Sequence, residues 1–458
     1  MAATRGTRRP RAAPAAASPS TTAPPRGRVR YLWSRRDAQT RWSRALSRAT
    51  GRYALLAATV LLHLVLLLVV FPNTREDVVV RGFLQLSFHD AGATLVGAAP
   101  YRDFLLEYPP GTLLFMLLPR LFADGYLDYR SLFFLQVAAL DCTIVLALYA
   151  SARVARLPAV RVLGLYTLAI ALLGPLVDYR LDLAPAALTA LAVLAWQRDR
   201  PALAAALLTA GAATKVYPAL LLLPLLLDYW TRGGARRVGV AALTAAGTIA
   251  LLLSPALAAG PQALAHDLSF QTNRHLQVES IWATPPLLLH LLTHFPLQVV
   301  GRNRALVILG PGDAWGGAGT PALALVALAT YVAWWRRRRS ASGREGMLLV
   351  GTATLVLASA MSSRVLSPQF LLWAMPPLAL LPLPRRGRRR AALALACFLI
   401  ALPLTQWVYP LHYGELVRYL APAAVGVLAL RNLLLALALA LLLSLLWGGG
   451  KQERGAAT

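Results

Sequence analysis

An all-α, polytopic integral membrane protein is the fold class this chain predicts, and three observations predict it. Its apolar residues come in runs that approach or reach the ~20 residues an α-helix needs to cross a bilayer; residues 53–71 and 391–409 are two of them. Of its 458 residues 57% are hydrophobic and 14% charged, with a mean hydropathy of +0.56, where soluble domains carry roughly 25% charge. Its arginines cluster at the ends of the apolar runs, the pattern by which cytoplasmic loops mark membrane topology. A soluble fold cannot bury so many long apolar helices.

The net charge of +27 does not point to nucleic acid. It comes almost wholly from arginine, with Lys215 and Lys451 the two lysines, and it is distributed as topology rather than as one basic face. Cys142 and Cys397 both lie in apolar segments far apart, which suits neither a disulfide framework nor a metal site. The seven histidines show no metal-ligand spacing. His63, His290 and His294 read as core or interface residues.

Residues 1–50 form an Ala-, Pro- and Arg-rich tail with little apolar periodicity, expected to be disordered and cytoplasmic, beside anionic membrane lipid. Residues 51–447 read as one membrane domain and 448–458 as a short polar tail. The first span, 52–71, reads as an uncleaved anchor. A more polar stretch then runs to Tyr108 on the extracytoplasmic side, with 78–97 as a helix along the interface. Basic clusters at Arg153/Arg156, Arg198/Arg200, Arg232/Arg236/Arg237, 336–339 and 385–390 fix the cytoplasmic side. Spans near 159–176, 183–197, 202–214, 216–229, 237–258, 320–335, 346–361, 369–383 and 391–409 alternate between them. Parity holds if 131–151 crosses and 109–122, opened by Pro109-Pro110-Gly111, only dips in. The apolar stretch 285–300 is read as lying in the outer leaflet, and 417–447 as one long helix or two. The total is 11 to 13 transmembrane helices. No internal repeat suggests a two-halved transporter.

Five segments on the predicted outer side carry polar residues that a membrane protein seldom keeps without use. The first loop holds Glu76, Asp77, Asp90, Asp103 and Glu107. The others are Asp178–Asp182, Thr214–Pro218, the 269–280 loop with Arg274 and Glu279, and Ser362–Gln369. Four cations, Arg180, Lys215, Arg274 and Arg364, are able to hold a phosphate, and a carboxylate can take a proton from an attacking hydroxyl. Plainer roles compete: Lys215 snorkelling to headgroups, an ion pair within Asp178–Asp182, Asp103 pairing with Arg102 or capping a turn. Asp141 falls inside a span and is expected to face a polar interior. Trp334 and Trp335 fit an interfacial belt.

The order of these blocks carries a resemblance. Pro100-Tyr101-Arg102-Asp103-Phe104 with Glu107-Tyr108-Pro109-Pro110-Gly111 follows the first span. Tyr179-Arg180-Leu181-Asp182, Thr214-Lys215-Val216-Tyr217-Pro218, Arg274 with Glu279-Ser280, and Ser363-Arg364-Val365-Leu366-Ser367-Pro368-Gln369 come after it. Over residues 52–410 the chain resembles glycosyltransferase family 87, the polyprenol-phosphate-mannose-dependent α-mannosyltransferases. The resemblance implies a GT-C fold, an extracytoplasmic active site, a polyprenyl-phosphate hexose donor (mannose expected), a lipid or glycan hydroxyl as acceptor, and inversion at the sugar; no cofactor is expected, and no ligand spacing argues for a metal. It places the base on an early first-loop aspartate, usually followed by Tyr at a fixed spacing. Asp77 has the position without that Tyr, and Asp90 lies closer to the Gly97–Tyr101 block, so both stand as candidates. Lys215, Arg274 and Arg364 are assigned to the donor phosphate. Asp103, Glu107, Tyr108, Arg180, Asp182, Glu279 and Gln369 are assigned to sugar or acceptor. A transporter or flippase, and a non-catalytic cell-envelope scaffold, are the competing readings.

Overall fold

The computed structural model describes residues 50–51, 53–73, 78–104, 106–178, 180–258, 260, 262, 265, 274–302, 305–337 and 343–448. The chain divides into Met1–Arg52 and Tyr53–Thr458. Of the first unit only residues 50 and 51, both helical, are described, so the expected tail falls outside the described residues. The fold set out below is that of the second unit.

Long Leu-, Ala- and Val-rich segments become helices because lipid offers a backbone no partner but itself. In order these are α1 (Tyr53–Val70), α2 (Val78–Leu95), α3 (Thr112–Arg120), α4 (Tyr126–Val154), α5 (Ala159–Leu173), α6 (Leu183–Gln197), α7 (Pro201–Thr214) and α8 (Leu222–Ala258). Then come α9 (Thr284–Thr293), α10 (Gly319–Arg337), α11 (Arg344–Ser362), α12 (Leu371–Ala379), α13 (Arg388–Gln406), α14 (Tyr413–Tyr419) and α15 (Pro422–Trp447). Among the described residues eight helical segments are long and apolar enough to cross a membrane. The chain is therefore an all-α polytopic membrane protein. One of the eight, Tyr217–Ala258, breaks at Gly234 (φ 64°) into two helices, and α6, α7 and α12 are shorter apolar helices packed inside the bundle.

The two parity questions have a physical answer. Helix α3 has nine residues, about 14 Å at 1.5 Å per residue, far short of the ~30 Å hydrocarbon core. Helix α9 has ten, and the chain then turns into an antiparallel hairpin, β1 (Gln298–Arg302) with β2 (Ala305–Leu309). Neither is long enough to cross. The 417–447 stretch is two helices, α14 and α15, parted at Leu420 (φ 47°).

Residues 276–278 lie along β2 as a third extended segment: Ile308 N–H donates to Leu276 O at 2.8 Å and Val278 N–H to Leu306 O at 3.0 Å. Leu276, Val278 and Ile308 pack there with Val425 and Leu428 of α15 in a small core of their own, while the main core fills the helix bundle. Trp334 departs from expectation. It is buried, its ring stacked on Trp196 at 5.2 Å, and only Trp335 is exposed. Asp141 does face a polar interior, accepting from Tyr166 Oη at 2.6 Å and meeting His63 Nδ1 at 2.5 Å.

Candidate active site

A cavity of about 1480 Å³ opens where several helices end, and all five polar segments contribute to its wall. Glu107, Tyr108, Arg180, Lys215, Arg274, Glu279, Arg364 and Gln369 line it. They come from the C-terminal sides of α5, α7 and α11, from the turn before α3, and from the loop preceding α9.

Each side chain is placed by a local device. The Pro109-Pro110-Gly111 turn docks on the end of α7, where Gly111 N–H donates to Ala213 O at 2.8 Å and Thr112 Oγ1 to Thr214 O at 2.8 Å. A Cβ on Gly111 would stand 2.7 Å from Ala213 O, so only glycine permits the approach. The docking brings the Tyr108 ring to 4.7 Å from Lys215 Nζ. Phe370 and Trp373 close the other sides of that ammonium at 4.8 and 5.6 Å. Asp182, at the start of α6, lies 3.6 Å from it and also accepts Trp373 Nε1–H at 2.8 Å. Lys215 is thus held by rings and one carboxylate rather than snorkelling outward, and burial lowers its pKa. The expected ion pair within Asp178–Asp182 is replaced by this cross-helix pair. Arg180 stacks over Phe83 of α2 at 4.5 Å.

The 274–280 segment is pinned between β2 and the loop after α11: Gln277 N–H donates to Arg364 O at 3.0 Å and Ser280 Oγ to Ser363 O at 2.9 Å. Arg364 Nη1 returns a bond to Arg274 O at 3.2 Å and lies 3.6 Å from Asp313. At the start of α10, a Cβ on Gly319 would fall 2.0 Å from Ser362 O, which requires glycine there. Gln369 sits in the 3₁₀ turn Pro368–Phe370 leading into α12.

The carboxylates divide. Among the described residues, those lining the cavity are Glu107 and Glu279. Glu279 is 2% exposed. Its Oε2 accepts from Gln277 Nε2 at 2.8 Å and Tyr413 Oη at 3.3 Å, while its Oε1 is buried with no hydrogen-bond partner among the described residues. Burial pushes its pKa up to about 7, against the opposing pull of Arg431 and the Tyr413 hydroxyl. Asp103 is outside the lining. It pairs with Arg102 at 2.9 Å on the surface and accepts Ala99 N–H at 2.8 Å, which is the plainer role. Asp90, on α2, is buried at 7% exposure and is not in the cavity wall; its helix instead presents Gly82, Phe83, Leu86 and His89 to it. Asp77 lies outside the described residues, five positions before Gly82.

Four contributors were not singled out in the sequence: Gln277, Tyr409 and Tyr413 in the wall, and Arg431 behind it. The signal for Arg431 was present, an arginine inside an otherwise apolar run. Among the described residues no group of three or more His, Cys, Asp or Glu side chains is gathered as for a metal.

This arrangement, an apolar helix bundle with a cavity lined by cations and carboxylates, bears on one comparison. The model of glycosyltransferase family 87 matches residues 104–360, more than half of the chain. The chain belongs to glycosyltransferase family 87. The matched span carries Glu107, Tyr108, Arg180, Asp182, Lys215, Arg274 and Glu279, while Arg364 and Gln369 follow it within ten residues. No curated protein matches the chain. As a family 87 member it is a membrane glycosyltransferase, acting between a sugar donor and an acceptor.

Proposed function

We propose that the chain transfers a hexose, mannose being the expected one, from a polyprenyl-phosphate donor to a lipid or glycan hydroxyl, on the extracytoplasmic side of the plasma membrane. The observation that carries this reading is the convergence of Lys215, Arg180, Arg274 and Arg364 with two carboxylates on one cavity among helix ends. Lys215, Arg274 and Arg364 meet the phosphate charge that grows as the anomeric C–O bond breaks. A lipid phosphate is already a good leaving group, so no general acid is demanded. Glu107, Tyr108, Arg180, Glu279 and Gln369 hold sugar and acceptor, while Asp182, expected there too, lies behind the wall against Lys215 and Trp373. The acceptor hydroxyl gives its proton to a carboxylate, and its oxygen bonds to the anomeric carbon from the opposite face, inverting it. An apolar lipid chain leaves such a site sideways between helices.

The test is transfer by protein purified into nanodiscs. Supplied with radiolabelled polyprenyl-phosphate mannose and an extract of envelope lipids and glycans, it is expected to release polyprenyl phosphate and label one acceptor. Polyprenyl-phosphate glucose and arabinose check the sugar. Wild-type protein that transfers none of them contradicts the proposal.

A further inference from the structure

Resting on that reading, we propose that Asp182 and Trp373 are positioning residues for Lys215: the indole N–H holds the carboxylate beside the ammonium without letting it occupy the hydrogens that the donor phosphate needs. Asp182 is 1% exposed and precedes the first turn of α6, where the positive end of the helix dipole favours a negative charge. Its Oδ1 is shared. It accepts Trp373 Nε1–H at 2.8 Å and stands 3.6 Å from Lys215 Nζ. A charge-assisted N–H···O bond closes to about 2.7–2.9 Å, so this ion pair is held open. The Lys215 side chain keeps 15% of its surface exposed, in the cavity wall.

Trp373, on α12, is what holds the pair open. An indole has one polar atom, a donor, and here it is given to Asp182. Both faces of the ring are covered: Tyr217 stacks at 4.6 Å and Phe370 at 4.2 Å, with interplanar angles of 14° and 21°. An indole enclosed in this way offers no platform to a sugar ring. The stack fixes the direction of its N–H instead. Thr189 Oγ1, 3.1 Å from Tyr217 Oη, ties the stack to α6, the helix that Asp182 precedes.

Lys215 needs this carboxylate at this distance. Burial lowers its pKa, Asp182 raises it, and Arg274 and Arg180 lower it. Tyr108, whose ring lies 4.7 Å away, adds no charge, because burial pushes its phenol up to about 12. With the carboxylate removed, the ammonium would stand buried near two guanidiniums. With the carboxylate closed to hydrogen-bond distance, it would compete with the phosphate. Trp373 keeps the pair between these two outcomes.

Two measurements on full-length protein in nanodiscs test this. Lys215 and Lys451 are the two lysines of the chain, so lysine labelled with carbon-13 at Cε, in a Lys451→Arg background, reports the ionisation of Lys215 alone by NMR. Asp182→Asn keeps an acceptor for the indole and removes the charge; the Lys215 midpoint is expected to fall by about 1–3 pH units. Trp373→Phe keeps a ring in the stack and frees the carboxylate to close, so the midpoint is expected to rise. The second readout is retention of radiolabelled polyprenyl-phosphate mannose at about pH 6, well below the ordinary lysine range. It is expected to weaken about 10- to 100-fold in Trp373→Phe and to recover most of that loss in Trp373→Phe/Asp182→Asn, which a purely structural role for the indole would not produce. An unmoved midpoint in Asp182→Asn, or a double variant no better than Trp373→Phe, overturns the positioning role only. A wild type that retains no donor while the midpoints move as stated overturns the donor reading, and the phosphate's part in this proposal with it.

Discussion

Asp228 and Glu279 are both buried carboxylates in a membrane protein, yet they are treated in opposite ways. Asp228, on α8, is saturated: it accepts from Trp196 Nε1 at 2.7 Å, Arg232 Nη2 at 2.7 Å and Arg344 Nη2 at 2.9 Å. Asp199 extends that network through Arg232 and Arg237 at 2.8 and 2.5 Å. Among the described residues Glu279 has no ion pair of this kind, and one of its oxygens has no hydrogen-bond partner. They mark opposite ends of the bundle. Helix α11 begins with Arg344 at Asp228 and finishes with Ser362 at the cavity, and the helix that starts just after Lys215 reaches Asp228 thirteen positions later. The saturated site is a clasp for helix ends; the unsaturated one lies in the cavity wall.

That contrast can be broken or sharpened. The largest effect is expected at Asp228. Removing one partner of a buried charge network costs about 3–5 kcal/mol, so Asp228→Asn lowers the melting temperature sharply, read by thermal unfolding in detergent, while transfer per folded molecule stays near wild type. A mutant of normal stability would mean that the clasp is ornamental. Next is Lys215. Losing a charge-assisted contact of about 1.5–3 kcal/mol weakens binding of a polyprenyl-phosphate sugar on the order of 10- to 100-fold in Lys215→Met, measured as retention of labelled donor.

Smaller and of the opposite sign is the stability effect at Glu279. Its pKa rises from 4.5 to about 7 on folding, so the folded state binds more protons between those values and stability falls as pH rises through that window. Glu279→Gln is expected to flatten the decline of melting temperature from pH 4.5 to 7 and to leave the protein at least as stable at pH 8. Smallest is Asp103→Asn. Asp103 lies on the surface beside Arg102, which holds its pKa near 2, and outside the cavity, so transfer and melting temperature are expected to match wild type.

The sequence made the bundle legible because lipid leaves few choices: apolar length and arginine placement mark the spans, and the helices fall within a few residues of them. The five polar segments were legible for the same reason, since loops that alternate sides put these on one face. Their individual roles were less so. Asp103 and Lys215 stand in motifs of equal strength, yet one pairs locally and the other reaches across to Asp182 and three rings, a difference made by tertiary packing. Trp334 before an arginine run looked interfacial, because sequence does not say which face of α10 meets Trp196. Tyr413 and Arg431 reach Glu279 across more than 130 positions, with no local signal of their partner.

The central claim is that the lipid phosphate binds at the Lys215–Glu279–Arg364 end of the bundle. A polyprenyl-phosphate analogue with a photoreactive group beside its phosphate, irradiated on wild-type protein and mapped by mass spectrometry, tests it most directly. The account predicts adducts within 214–218, 274–280 and 362–370, displaced by excess unlabelled donor. Displaceable adducts around Asp228, Arg232 and Arg344 instead would contradict it.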